Sequence, residues 1–341
     1  MNFTDNILEV DGLKVRFQSG KSTISAVEDV SFSVRKGETL AIVGESGCGK
    51  SVSSLALMGL LPERTATVSA NALRFTLKNG EQVNLLDLSA AEQRRLRGDE
   101  MAMIFQEPMT SLNPMHSVGD QIAEAVCIHR NATRAEARVV VLEMMRLVGI
   151  SDAEARLKAL PHELSGGMRQ RIMIAMALVC RPNLLIADEP TTALDVTIQA
   201  QILDLIRTLR DEIGMAVLFI THDLGVVAEI ADNVLVMYAG QVVERGTVRD
   251  ILQSPQHPYT QGLLRSLPET APMDGDQHEL YSIPGTVPDL SALPSGCRFH
   301  PRCGEFVMGV CDRQMVPLEV SSTTHAVRCL MRTTRSKYDA A

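Results

Sequence analysis

The segment GESGCGKS at residues 44–51 combines the residue types that bind nucleotide phosphates. Its glycines allow a tight turn in which successive backbone N–H groups point at phosphate oxygens. Lys50 can reach the terminal phosphates, and the Ser51 hydroxyl can ligate Mg²⁺. An apolar TLAIVG before the segment and a helical SVSSLALMGLL after it give the strand, loop and helix order that this motif requires. The predicted binding residues are Gly44, Glu45, Ser46, Gly47, Cys48, Gly49, Lys50 and Ser51.

A second phosphate-type segment lies far along the chain, in LSGGMRQR at residues 164–171. It places Ser165, Gly166 and Gly167 at the predicted start of a helix, where free N–H groups attract anions. Glycine at early helical positions costs about 1 kcal/mol relative to alanine, so an ordinary helix start does not account for both glycines. A chain that binds one nucleotide has no evident need for two such sites.

Two carboxylates follow the apolar run LLIA, at Asp188 and Glu189. Ligands bind at the carboxyl ends of parallel strands, so this pair is well placed for chemistry. We expect Asp188 to hold Mg²⁺ and Glu189 to accept a proton from, or to orient, an attacking water. Phosphoryl transfer needs little beyond positioning and charge stabilisation, so a base, a metal and a lysine suffice.

Three further residues are candidates that residue type alone does not settle. His222 follows the strand-like AVLFI and could contact the γ-phosphate, although a structural histidine is the commoner case. Gln106 follows MAMIF and could meet the metal or the water through its amide. Phe17 could stack on an adenine ring, although its residue type favours core packing. Cys48 fills a variable slot of its motif, where a small filler is favoured over thiol chemistry.

Composition limits the classes of protein that could carry these residues. The chain has 341 residues, 45% of them hydrophobic, and a net charge of −8. It has no run of 18 apolar residues, and its first residues lack the pattern of a signal peptide, so we expect a soluble, unexported protein. The acidic balance argues against a broad nucleic-acid surface. Seven cysteines in a reducing compartment favour metal binding over disulfides.

The periodicity predicts an α/β fold. Val30, Phe32 and Val34 alternate with polar residues, which indicates a small antiparallel sheet with one wet face. NLLIADEP and MAVLFITHD are typical of buried parallel strands, and TIQAQILDLIRTLRDEIG between them is amphipathic. Helical spacing predicts an inserted helical subdomain at about 107–165. The shift to Pro, Gly, Ser and Cys predicts a boundary near 270, between domains at 1–270 and 271–341.

Taken in order, GESGCGKS, Gln106, LSGGM, LLIADEP, TALD and THD resemble the motifs of the nucleotide-binding subunit of an ABC transporter. The resemblance covers residues 7–270. It implies a P-loop ATPase of ABC type, with a mixed sheet, an antiparallel sub-sheet and the helical insertion. It also implies roles for individual residues: adenine stacking for Phe17, the Q-loop for Gln106, metal binding for Asp188, the base for Glu189, the D-loop for Asp195 and the switch histidine for His222.

In this family two subunits pack head to tail. This arrangement implies a function for the second phosphate-type segment, LSGGMRQR. Ser165, Gly166 and Gly167 are then expected to cover the ATP of the partner, not the nucleotide at Lys50. A helix N-terminus stabilises an anion by about 0.3–2 kcal/mol. A few such contacts would make ATP the link that holds the dimer together.

The sequences FQEPMTSLNPMHSVGDQIAE, SPQHPYTQGLL and GTVPDLSALPSGCRFHPRC resemble those of dipeptide and oligopeptide permease ATPases, whose relatives also import nickel or glutathione. The resemblance implies a second, often non-identical ATPase subunit, two membrane permease subunits and a solute-binding protein. It places the chain peripherally on the cytoplasmic face of the membrane, with no nucleic-acid partner. The alternatives are a non-transport ABC ATPase acting on nucleic acid or translation, and a redox-sensing regulator.

Four cysteines in the tail follow the spacing C-x5-C-x7-C-x17-C, which is not a standard finger pattern. Four thiolates can hold zinc or a [4Fe–4S] cluster, and unliganded cysteines are also compatible with the spacing. The family resemblance favours the iron–sulfur cluster. His300 and His325 could replace a ligand, although hydrogen bonding is the favoured role, and Cys127 and Cys180 are predicted to pack in the core. The four predicted ligands are Cys297, Cys303, Cys311 and Cys329.

Overall fold

The computed structural model describes residues 5–20, 22–106, 111–192, 194–267 and 281–333. Within these ranges no helix is both long and apolar enough to cross a membrane. The chain divides into two compact units. Of the described residues, the first unit contains 5–9, 33–38 and 73–219, without the gaps given above, and the second contains the remainder.

The strands are β1 (Asn6–Ser19), β2 (Ser22–Arg35), β3 (Thr39–Val43), β4 (Ala66–Ser69), β5 (Ala72–Thr76), β6 (Gln82–Asn84), β7 (Met101–Ile104), β8 (Leu184–Asp188), β9 (Ala216–Thr221), β10 (Asn233–Tyr238), β11 (Gln241–Thr247), β12 (Glu319–Val320) and β13 (Ala326–Val327). The helices are α1 (Lys50–Leu57), α2 (Ala90–Leu96), α3 (Val118–Arg130), α4 (Arg134–Leu147), α5 (Ala153–Arg156), α6 (Gly166–Leu178), α7 (Val196–Ile213), α8 (Leu224–Ile230), α9 (Val248–Gln253), α10 (Pro258–Arg265) and α11 (Leu330–Thr333).

The first unit is built on parallel strands. β7 pairs with β8 in parallel, with Met101 opposite Leu184 and Ile104 opposite Ala187, and the first-unit part of β9 follows β8 in the sheet. Every residue of β8 and β9 is buried. This confirms the buried strands that the apolar runs predict, because a strand covered on both faces has no polar side to alternate with.

Helices of the first unit pack against each other and against β7. α3 and α4 pack against each other and against α6, which also contacts β7. Thr133 begins α4 with a capping box to Glu136, and Asp195 begins α7 by accepting a hydrogen bond from the Ile198 N–H. α7 buries Ile202, Leu203, Ile206 and Leu209, which confirms the predicted amphipathic helix.

Residues 111–165 of this unit contain α3, α4, α5 and the 3₁₀ turn Pro161–Glu163, and no strand is assigned among them. They fall within the segment predicted to be a helical subdomain, of which residues 107–110 lie outside the described residues. The limits of that subdomain stay a prediction.

The second unit contains a mixed sheet in the order β12-β13-β11-β10-β3. β3 and β10 are parallel, while β10–β11, β11–β13 and β12–β13 are antiparallel. In β2, Val30 and Phe32 are buried while the neighbouring Asp29 is exposed, as the alternation predicts for a strand with one wet face. β1 pairs with β4 in antiparallel register, with Phe17 opposite Ala66.

Residues near the C-terminus share the core of the second unit. The rings of Tyr238, Tyr259 and Phe299 pack within 4.7–5.4 Å of each other, centroid to centroid. Ile283 joins the same buried cluster as Val43 of β3. The predicted boundary near 270 lies outside the described residues, and the division into domains at 1–270 and 271–341 stays a prediction.

Candidate functional site

The segment 44–51 connects the buried strand β3 to helix α1. Gly49 is the N-cap of α1 with φ +101°, and a Cβ there would lie 2.6 Å from the Ala26 carbonyl oxygen. Gly47 also has positive φ (+79°), but a Cβ there would meet no atom within 4 Å. Only glycine adopts both conformations without strain. The turn therefore packs tightly against the protein at Gly49 and borders open space at Gly47.

Lys50 is buried, and its ammonium group is held by the loop backbone. Nζ donates to the carbonyl oxygens of Gly44 at 2.6 Å and Glu45 at 3.1 Å. Ser51 follows in the first turn of α1. Cys48 is fully buried, and burial raises the pKa of its thiol, which disfavours a reactive thiolate at this position.

Two residues remote in sequence hold Glu45, and neither was predicted. The Arg302 guanidinium donates to both carboxylate oxygens of Glu45, at 2.7 and 3.1 Å, and the Tyr259 hydroxyl accepts from the Glu45 N–H at 2.8 Å. Tyr259 is the second residue of α10, and Arg302 ends the 3₁₀ turn His300–Arg302. No spacing pattern links these positions to a phosphate loop.

In the first unit, Glu189 stands directly after β8. Asp188 is the last, buried residue of the strand, and Glu189 adopts a left-handed backbone with φ 47°. Such a conformation is uncommon for a non-glycine residue and often marks a functional site. One carboxylate oxygen, Oε2, accepts two hydrogen bonds of 3.0 Å, from the Gln106 amide and from the Thr192 hydroxyl. The structure thus brings Gln106 and Glu189 together, and it adds Thr192.

The N-terminus of the 13-residue helix α6 is exposed. Ser165 is its N-cap, and the Ser165 side chain accepts from the Met168 N–H at 3.3 Å. A Cβ at Gly166 would meet no atom within 4 Å, whereas one at Gly167 would lie 3.2 Å from Cγ2 of Ile198. The first turn of α6 therefore presents backbone to open space beside Ser165, where an anion is favoured.

Gln170 connects α6 to the residue that follows Glu189. Its side-chain amide donates to the Pro190 carbonyl oxygen, and Gln170 is 1% exposed. Sequence reasoning missed this residue, because its position in LSGGMRQR gives no sign of which segment it contacts.

The other predicted site residues are divided between the two units. Lys50 and His222 belong to the second unit, and Gln106, Asp188 and Asp195 belong to the first. His222 is exposed between β9 and α8, and Asp195 is the exposed N-cap of α7. Phe17 is half-buried in β1 of the second unit.

The four tail cysteines line one small cavity in the second unit, together with His257 and Glu305. Burial raises the pKa of the Cys303 thiol to about 11, and the charges of the other cysteines add to the rise. Burial also raises the pKa of Cys297 and Cys329. Nevertheless, no three His, Cys, Asp or Glu side chains in the described ranges are arranged to hold a metal ion.

The other cysteine and histidine predictions concern hydrogen bonding and packing. His300 Nδ1 lies 2.9 Å from the Cys297 carbonyl oxygen, and His325 Nε2 lies 2.7 Å from Glu244 Oε1. Cys180 is buried, as predicted. Cys127 is only half-buried and lines a cavity between α3 and α4, so its predicted place in the packed core is wrong.

Two family models match the chain. Residues 27–192 match a model described as ABC transporter, and residues 243–311 match one described as oligopeptide/dipeptide transporter, C-terminal region. The dipeptide transport ATP-binding protein DppD of Bacillus subtilis is 51% identical, over 98% of this chain and 97% of that protein. The oligopeptide transport ATP-binding protein AppD of the same species is 48% identical, over 95% and 96%.

The chain also resembles a solved structure, a dimeric post-hydrolysis state of the ATP-binding cassette MJ0796 bound to ADP and Pi. The TM-score is 0.61 at 24% identity, with 71% of this chain and 99% of that chain covered. At this identity the likeness concerns the fold alone, and it confirms the predicted P-loop fold of ABC type.

Proposed function

Because the chain belongs to the ABC transporter family, we propose that it hydrolyses ATP to drive the import of dipeptides or oligopeptides. The match of residues 243–311 to the peptide-transporter C-terminal region and the 51% identity to DppD support this cargo class. The observation that carries the proposal is the phosphate loop at Lys50 in a chain that also holds Glu189 in a hydrogen-bonded, strained turn. Nickel or glutathione remains an alternative cargo.

ATP is proposed to bind at the phosphate loop, residues 44–51. The backbone N–H groups of residues 44–51 would cradle the phosphates, Lys50 would neutralise them and Phe17 would stack on the adenine. The oxygen donors at Ser51, Gln106 and Asp188 suit Mg²⁺, which prefers hydroxyl, amide and carboxylate oxygens. Bound Mg²⁺ would offset the negative charge of the phosphates.

Glu189 is the proposed general base. Its carboxylate accepts the proton of water as the water oxygen bonds to the γ-phosphorus, while the bond from that phosphorus to the leaving oxygen of ADP breaks. Gln106 and Thr192 both donate to Oε2, and these two hydrogen bonds orient the carboxylate. His222 is proposed to contact the γ-phosphate and to help align the water.

The second ATPase subunit completes each site. Ser165, Gly166 and Gly167 are proposed to bind the γ-phosphate of the partner's ATP, and Asp195 to contact the partner near its nucleotide. The exposed first turn of α6 supports this role, since it offers N–H groups and a positive dipole end without a side chain at Gly166. Gln170, in the same helix as Gly166 and Gly167, donates a hydrogen bond to Pro190, the residue after Glu189. Contact of the first turn of α6 with the partner's ATP could therefore change the position of Glu189 in the same chain.

Two membrane permease subunits and a solute-binding protein are the proposed partners, with the chain peripheral on the cytoplasmic side of the membrane. The test is reconstitution of the chain with its permease subunits and second ATPase in liposomes, followed by uptake of a labelled dipeptide delivered by the solute-binding protein. Uptake should require ATP on the side of this subunit and should disappear with Glu189→Gln. ATPase activity that responds to nucleic acid and not to the peptide-loaded binding protein would favour the non-transport alternative.

A [4Fe–4S] cluster is proposed at Cys297, Cys303, Cys311 and Cys329, with zinc as the alternative. Their place around one cavity supports the proposal, because four thiolates suffice to hold either centre. Because no ready ligand set is present in the described ranges, binding requires the side chains to reorient. Iron, sulfide and zinc analysis of anaerobically purified protein tests the proposal. Equal metal content in wild-type protein and Cys303→Ser would overturn it, and Cys127→Ser is the matched control.

A further inference from the structure

The ion pair between Arg302 and Glu45 ties the segment that bears Cys297 and Cys303 to the phosphate loop. Its two hydrogen bonds, 2.7 and 3.1 Å long, are those of a bidentate arginine–carboxylate pair. The Arg302 side chain is 4% exposed and that of Glu45 is 30% exposed. The pair therefore lies at the edge of the protein interior, with the arginine inside and the carboxylate toward solvent.

Contacts with residues other than Glu45 also hold the Arg302 side chain in place. Its Nε donates to the Pro284 carbonyl oxygen at 2.9 Å, and its guanidinium lies over the Tyr238 ring, 5.7 Å from the centroid. The 3₁₀ turn that carries Arg302 lies between Cys297 and Cys303, and Cys303 N–H donates to the His300 carbonyl oxygen at 3.2 Å. The Arg302 side chain is thus held by its own surroundings, and Glu45 of the phosphate loop is positioned by its ion pair with Arg302.

Glu45 is the residue whose placement matters to the loop. Its carbonyl oxygen accepts from Lys50 Nζ at 3.1 Å, and its N–H donates to the Tyr259 hydroxyl. A carboxylate beside a phosphate cradle repels the anion that the cradle is built to bind, unless a cation neutralises it. Arg302 supplies that cation, and its planar fork also fixes the direction of the Glu45 side chain.

We infer that Arg302 is a positioning residue for the phosphate loop, which sets nucleotide affinity by neutralising and orienting Glu45. The inference rests on the proposed binding of ATP at residues 44–51. Arg302 acts through Glu45, so removing the Glu45 charge should remove most of the need for Arg302.

The test measures Mg-ATP affinity by equilibrium binding in a Glu189→Gln background, where turnover does not interfere. Arg302→Gln should weaken binding by about tenfold, the scale of one lost charge-assisted pair. Glu45→Gln is the reference for the double variant Glu45→Gln/Arg302→Gln, which should bind within about threefold of Glu45→Gln alone. A further loss of about tenfold in the double variant would overturn the inference, because Arg302 would then affect binding without acting through Glu45.

Arg332→Gln is the matched control. Arg332 Nη2 donates to both carboxylate oxygens of Glu305, at 2.7 and 2.8 Å, and this ion pair does not include Glu45. The Arg332→Gln variant should bind Mg-ATP with the same affinity as the parent. Should Arg302→Gln not fold, Arg302→Lys keeps the charge but not the fork, and parent-like affinity in that variant would overturn the orienting role. Lys50→Ala separates this inference from the proposed function: if it binds Mg-ATP like the parent, the site assignment fails, and not only the role of Arg302.

Discussion

The Gln106 amide nitrogen lies 3.0 Å from Oε2 of Glu189, two residues separated by 83 positions in the sequence. The contact joins the end of β7 to the end of β8, which are parallel neighbours in the sheet. Any change in the Gln106 segment therefore acts directly on the direction of the Glu189 carboxylate. This geometry allows the role of each partner to be tested by changing charge while keeping shape.

Replacing Glu189 by glutamine removes the proton acceptor while keeping the side-chain volume. We expect the rate of ATP hydrolysis to fall by about 10²–10⁴-fold, the usual contribution of a general base. Mg-ATP affinity should stay near that of the wild type. Single-turnover phosphate release measures the rate of hydrolysis, and equilibrium binding measures the affinity for Mg-ATP. A rate near that of the wild type would exclude Glu189 as the base.

Replacing Gln106 by glutamate places a second carboxylate about as close to Glu189 as the amide is. The two carboxylates repel each other, so the Glu189 side chain should turn away from position 106 and kcat should fall. Gln106→Leu removes the hydrogen bond without adding charge, and it should lower kcat by less than Gln106→Glu does. Steady-state ATP hydrolysis by the two variants measures the difference, and equal losses would contradict the effect of charge beside Glu189.

The phosphate loop contains two glycines whose surroundings differ in a measurable way. Gly47→Ala introduces only the strain of a left-handed backbone, about 1–2 kcal/mol. Gly49→Ala adds a Cβ that would lie 2.6 Å from a backbone oxygen, so it should destabilise the protein by more. Urea unfolding of the two variants checks the order, and equal losses would show that the loop relaxes freely at Gly49.

Local patterns made the phosphate loop and the carboxylate strand predictable. GESGCGKS has a fixed spacing, and the LLIA that precedes Asp188 is apolar throughout because β8 is buried on both faces. The same reasoning predicted Ser165 at a helix start, where it is the N-cap of α6. In each case the signal lies within a few residues of the feature.

Contacts between distant segments gave no such signal. Arg302 and Glu45 are 257 positions apart, and neither spacing nor residue type marks Arg302 as a partner of the loop. Gln170 was missed for the same reason. The Cys127 prediction failed because apolar neighbours in the sequence do not reveal that one helix face borders a cavity. Long-range packing decided all three.

The proposed head-to-tail arrangement predicts that damage to Ser165 affects the partner's nucleotide. Ser165→Arg adds a bulky cation at the exposed first turn of α6 and removes the N-cap, which alone costs about 1 kcal/mol. Ser165→Ala removes the same cap without the bulk, so it is the control for helix stability. Both variants should retain their own binding of Mg-ATP at Lys50.

Mixed dimers of this chain, with one Lys50→Ala phosphate loop, identify which site is lost. With Ser165→Arg and Lys50→Ala on the same chain, the intact loop of the other chain meets the damaged helix, and single-turnover hydrolysis should fall by about 10²-fold or more, as when an oxyanion contact is lost. With the two substitutions on opposite chains, the intact loop meets an intact helix, and hydrolysis should approach that of a dimer carrying Lys50→Ala alone. The reverse pattern would mean that Ser165 serves the nucleotide of its own chain, and the shared-site arrangement would then be wrong.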